Sequence, residues 1–218
     1  MINSLEIDSV QLSFGARKIL QSIYLKAETG KVTGILGRNG SGKSSLMKLI
    51  FGELSAEMSL RLNGKALLSR YRNPSDMRML PHYHLIPEDF RISRVFDDFE
   101  VDYTEFKACF DEFSKFGDLK IGQLAGGNVR VIEVYIILRS GARFCLLDEP
   151  FTHLSPKNVH LFTGLINEEK KTKGIIITDH LYRSVVQVSD DLYLLREGSM
   201  HKVNDKHDLI RLGYLPEA

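Results

Sequence analysis

Val32-Thr33-Gly34-Ile35-Leu36-Gly37-Arg38-Asn39-Gly40-Ser41-Gly42-Lys43-Ser44-Ser45 is the stretch on which the fold turns. Its first five residues form a short β-rich run that leads into a glycine loop. Ser44 to Phe51 reads as a helix, with Leu46, Leu49 and Ile50 on one side and Gly52 as its stop. Between them lies Gly37-x-x-x-x-Gly42-Lys43-Ser44, a glycine loop joining strand to helix in the pattern that cradles phosphate. Glycines let backbone N–H groups turn inward and approach phosphate oxygens without a Cβ in the way. The following helix adds its positive N-terminal end. Lys43 reaches the β- and γ-phosphates, the Ser44 hydroxyl suits Mg²⁺, and Ser45 is placed for an α-phosphate oxygen. Residues Gly37, Arg38, Asn39, Gly40, Ser41, Gly42, Lys43, Ser44 and Ser45 are therefore the expected nucleotide contacts. Such a loop implies a nucleotide without naming a reaction.

Further along, Phe144-Cys145-Leu146-Leu147-Asp148-Glu149-Pro150 is an apolar strand ending in two carboxylates. Asp148, the last strand residue, is the expected Mg²⁺ ligand. Glu149 lies just outside the strand, where it can point at an attacking water as general base. Ile175-Ile176-Ile177-Thr178-Asp179-His180 is a third strand ending in polar groups. A histidine there is either structural or a donor that senses a γ-phosphate; its place after the loop and the acidic pair favours the second reading.

The rest of the chain frames these motifs. Leu5 to Phe14 alternates loosely, as do Ile23, Leu25 and Ala27, which indicates strands. Asn63-Gly64 marks a hairpin turn. From about Tyr71 the texture changes: prolines at 74, 81 and 87 precede a charged, Phe-rich stretch. Phe99, Phe106, Phe110 and Phe113, spaced by seven, four and three, fall on one helical face. They read as the buried stripe of a helical subdomain, with a partner-binding stripe as the alternative. Val159 to Lys170 reads as a crossover helix and Asp205 to Leu212 as a short surface helix. The continuous apolar runs suit strands buried on both faces of a mostly parallel sheet, so the fold class is α/β with a helical insert. The insert is placed at about 71–120, within one domain whose core comprises about 1–70 and 121–218. The 218 residues are 43% hydrophobic, with 29 basic and 28 acidic side chains. This balance gives no support to a nucleic-acid partner. Two cysteines, Cys109 and Cys145, make no disulfide framework and suit a reducing compartment. The N-terminus lacks a signal-peptide pattern, and no apolar run approaches the roughly 20 residues of a membrane helix.

Taken in order, these motifs resemble the ATP-binding subunit of ABC transporters, over about Leu5 to Val203. The most family-specific mark is Leu124-Ala125-Gly126-Gly127-Asn128, which resembles the signature Leu-Ser-Gly-Gly-Gln and precedes a helix. The resemblance implies a P-loop NTPase core with an N-terminal antiparallel β part. It also implies two cassettes paired head to tail, so that Ala125, Gly126 and Gly127 of one cap the ATP held by the other. Phe14 stands where the family places an aromatic that stacks on adenine, with plain core burial as the other reading. The implied function is hydrolysis of ATP with Mg²⁺ to power a separate permease, from a cytoplasmic position on the membrane's inner face. A soluble nucleotide switch is the rival, and a small-molecule kinase is disfavoured by the signature and Glu149.

Several positions depart from the family. The signature Ser is Ala125 and its Gln is Asn128; the glutamine expected after a strand and near a proline is His82; the Asp expected after the acidic pair is Ser155. The helix after the signature is unusually apolar, with Val131 and Ile136 where basic residues recur. Lys43, Ser44, Asp148, Glu149 and His180 are spared. The departures predict intact ATP binding and slow turnover, since one lost γ-phosphate donor lowers a rate by about 10²–10³ when it acts in the transition state alone.

Overall fold

In the computed structural model, which describes residues 2–67 and 73–216, the phosphate-loop strand Val32–Leu36 (β3) lies inside a six-stranded sheet. Phe144–Asp148 (β7) and Gly174–Thr178 (β8) are fully buried like β3, and their unbroken apolar character follows from having both faces covered. With Met77–Leu80 (β6), Asp191–Arg196 (β9) and Ser199–Val203 (β10), the order is β10-β9-β3-β8-β7-β6. All neighbours pair in parallel except β9 and β10.

A second sheet is antiparallel. Ser4–Phe14 (β1) pairs with Arg17–Glu28 (β2) across a tight turn and with Glu57–Leu62 (β4), which continues into Lys65–Ala66 (β5). The Asn63-Gly64 turn has positive φ at both residues, as a two-residue hairpin requires. Lys43–Phe51 (α1) runs between the sheets and buries Leu46, Met47, Leu49 and Ile50 in one cluster with residues of β6 and β7 on one side and of β1, β2 and β4 on the other.

On the other face, Gly126–Arg139 (α4) is buried along its length from Val129 to Leu138. A helix that is apolar all round belongs inside, which explains Val131 and Ile136. It is wrapped by the sheet, by Pro156–Glu169 (α5) and by the segment between β6 and α4. Tyr182–Val188 (α6) and Lys206–Arg211 (α7) complete the described chain.

The Phe-rich segment differs from the single helix that its spacing suggests. It comprises Ile92–Asp98 (α2), Tyr103–Cys109 (α3) and a 3₁₀ turn, Asp111–Lys115. Glu100 takes a left-handed φ of 57°, and the Asp102 carboxylate caps α3 by accepting from the Thr104 and Glu105 N–H groups. Phe99 ends α2 and is only partly buried, while Phe106, Phe110 and Phe113 are fully buried. Phe106 meets Phe113 and Tyr135 at centroid distances of 4.7 and 4.9 Å, and Phe110 meets Phe162 at 5.2 Å. The aromatics thus form a core with α4 and α5. Within the stretch 71–120, Met77–Leu80 belongs to the main sheet, so the helical part starts at Ile92. The boundary at 70 and 71 lies outside the described residues, as do Met1, Glu217 and Ala218 at the ends of the 1–218 span.

Candidate functional site

β3, β7 and β8 end at the same edge of the sheet, and that edge gathers the polar groups. A cleft of about 620 Å³ is lined by the loop from Asn39 to Ser45 together with Phe14, Arg17, Ile19, His82, Glu149 and His180. Sequence reading missed Arg17 and Ile19, which follow from β2 turning back beside Phe14. Phe14 is 55% exposed, so it is a platform at the cleft wall and not a core residue. At Gly42, φ is 106°, and an added Cβ would stand 3.0 Å from Ile19 Cγ2 and Leu20 Cδ2. Lys43 is buried, and its Nζ donates to the Gly37 carbonyl at 2.8 Å and that of Arg38 at 3.3 Å. Burial depresses its pKa, opposed by the charges of Glu149, Asp148 and Asp179. Arg38 turns away from the cleft: its guanidinium donates to the Gly213 carbonyl at 3.0 Å, while Arg196 donates to that of Leu212.

Asp148 is fully buried at the end of β7. Its Oδ1 accepts from Thr178 Oγ at 2.8 Å; its Oδ2 has no hydrogen-bond partner among the described residues. A fixed carboxylate with one free oxygen fits a hard divalent cation, and the cleft beside it, lined by the neighbouring Glu149, offers the Ser44 hydroxyl as a second oxygen. Glu149 has a φ of 51°, and its N–H donates to the Thr178 carbonyl at 2.8 Å. Its Oε2 lies 3.5 Å from His82 Nδ1 and 3.7 Å from His180 Nδ1, so two imidazoles flank the carboxylate. Asp179 accepts from the Phe151 and Leu181 N–H groups, and burial raises its pKa. It thereby fixes the loop after Glu149 and the turn that carries His180.

Ala125, Gly126 and Gly127 do not line this cleft. They form the start of α4, exposed at Ala125 and Gly126 and partly buried at Gly127, which carries no side-chain cap. A Cβ on Gly127 would stand 2.9 Å from the His153 carbonyl oxygen, so only glycine allows that approach. Ser155, in the place of the expected Asp, caps α5 by accepting from the Asn158 N–H at 3.3 Å; serine and aspartate are equivalent in that task.

Beneath the site lies a pair that sequence reading did not assign. Arg130, 3% exposed, donates to the carbonyls of Pro81, Asp148 and Glu149 at 2.8, 2.8 and 2.9 Å. Glu133, 0% exposed, accepts from the Leu85 N–H at 2.5 Å and lies 3.5 Å from Arg130 and 3.2 Å from His84 Nδ1. The readable signal was two opposite charges spaced i,i+3 in an otherwise apolar helix.

A glycine loop after a buried strand, an acidic strand end beside it and a strand-end histidine define a P-loop nucleotide-binding cassette. A sequence profile of the family described as ABC transporter matches residues 20–152, and the chain belongs to that family. It is similar to the arabinose import ATP-binding protein AraG of Mannheimia succiniciproducens, 28% identical over 213 residues, covering 89% of this chain and 42% of that protein. It is also similar to the galactose/methyl galactoside import ATP-binding protein MglA of Escherichia coli K12, 26% identical over the same shares. The chain thus spans less than half the length of these relatives. Among solved structures, an ATP-binding subunit of an ABC transporter superposes with a TM-score of 0.78 at 20% identity, over 98% of this chain and 95% of that one. A nucleotide-free ATP-binding cassette gives 0.74 at 21%, over 98% and 96%. Among the described residues no helix is long and apolar enough to cross a membrane.

Proposed function

We propose that the chain binds Mg-ATP and hydrolyses it to ADP and phosphate, as the subunit that powers a separate membrane permease. The observation that carries this reading is the cleft in which Lys43, Ser44, Glu149 and His180 converge beside the half-satisfied carboxylate of Asp148. Phe14 stacks on adenine, the loop N–H groups surround the phosphates, and Lys43 exchanges its bonds to Gly37 and Arg38 for β- and γ-phosphate oxygens. Ser44 and Asp148 would hold Mg²⁺, which when bound would neutralise charge developing on the phosphates. Glu149 takes the proton of the attacking water, and His180 donates to the γ-phosphate. Turnover is slow because His82 replaces a glutamine that serves ordinary cassettes.

The names of the relatives support an import system with the chain on the cytoplasmic face, and the insert at about 71–120 is the part proposed to turn toward the permease. The uncapped start of α4 supports pairing of two cassettes. Steady-state phosphate release tests the reaction: Glu149→Gln is expected to keep ATP binding and to lose turnover by about 10² or more. Equal turnover in the variant sinks the assignment of the base, and transfer of phosphate to an acceptor other than water sinks hydrolysis. Recovery of a polytopic protein with the chain from detergent-solubilised membranes tests the permease; its absence favours a soluble switch.

A further inference from the structure

Ala125 leaves the start of α4 without a side-chain donor, and the structure sets another donor beside it. His84 stands over this end of the helix: a methyl group on Gly126 would lie 3.6 Å from its Nε2. The ring is aimed from behind. Its Nδ1 lies 3.2 Å from Oε2 of the fully buried Glu133, two helical turns further along α4. Glu133 is itself immobilised by Arg130 and by the Leu85 N–H. About half of the His84 side chain remains exposed, as are Ala125 and Gly126 beside it. In the imidazolium form both ring nitrogens donate, one to Glu133 and the other outward.

Among the described residues Nε2 has no hydrogen-bond partner, and no acidic residue occupies the first turn of α4. The Gly126 and Gly127 N–H groups begin the helix without a cap. An imidazole held by a buried carboxylate beside free backbone donors is chemistry for an oxyanion. We propose that His84 supplies the donor that Ala125 lacks, through Nε2–H to the terminal phosphate of ATP bound in the phosphate loop of a second copy of this chain. This rests on the paired-cassette reading above. His84 is a binding residue of the composite site, and Glu133 is its positioning residue.

The test is ATP-driven self-association of the full chain in the Glu149→Gln background, by analytical ultracentrifugation at Mg-ATP concentrations that saturate each variant. His84→Ala is expected to raise the dimer dissociation constant at least tenfold. Adding Ala125→Ser to His84→Ala restores association to within about threefold, which is a rescue that a merely structural histidine does not produce. Unchanged association in His84→Ala overturns the assignment, as does failure of the serine to rescue a folded double variant. If the Glu149→Gln chain with His84 intact shows no ATP-driven association, the paired-cassette reading itself fails and takes this one with it.

Discussion

At the scale of single residues, the site depends on close approaches that one atom would close. Gly127 is the clearest: the His153 carbonyl lies where its Cβ would be, and His153 is itself held at a φ of 64°. Gly127→Ala forces the start of α4 away from the loop after Glu149. Overpacking of this kind is expected to destabilise by about 1–3 kcal/mol, read as a fall in melting temperature of several degrees. An unchanged melting temperature would show that the loop yields freely. Glu149 and His180 were legible because each closely follows an apolar run, and a strand that stops at polar residues fixes where they sit; Lys43 was legible from the glycine spacing before it. His84 and Glu133 were not legible: they are 49 positions apart, and nothing local announces that a carboxylate in an apolar helix waits for an imidazole.

At the scale of elements, α4 is the member on which the site leans. Arg130 ties it to the ends of β6 and β7, and Glu133 ties it to the loop after β6. Glu133→Ala leaves Arg130 without its counter-charge and strands the Leu85 N–H. The expected loss is about 3–5 kcal/mol in denaturant unfolding. A loss below about 1 kcal/mol would mean that the three carbonyls satisfy Arg130 alone. The Phe-rich segment shows how periodicity misleads. The aromatic spacing fits one helix, yet the Asp102-x-x-Glu105 cap starts a new one, and the local cap decides the chain path. The apolar stripe survives the break because the short elements still converge on Tyr135. Burial pushes the Tyr135 phenol up to about 12, so it stays neutral in this packing.

At the scale of the molecule, two sheets enclose α1 and a mixed helical layer encloses α4. The sheet order was not readable, because β6 is a four-residue run inside a stretch whose prolines and charges resemble an insert. The two cysteines report on this enclosure. Cys145 is fully buried in β7, donates to the Ile137 carbonyl, and has its thiol pushed up to about 11 by burial; Cys109 is partly exposed. At pH 8 a disulfide reagent is expected to modify Cys109 readily, and Cys145 at the pace of unfolding. Fast labelling of both in the native protein would contradict the packing of β7. Arg38, finally, joins the phosphate loop to Gly213, 175 positions away, so whatever steadies that loop also steadies the turn after α7. Amide hydrogens of residues 206–214 should therefore exchange more slowly as ATP saturates the protein, and exchange indifferent to ATP would break the link. The turn after α7 would then work as a gauge: it lies outside the cleft, yet its fraying is expected to register whether the fuel is loaded.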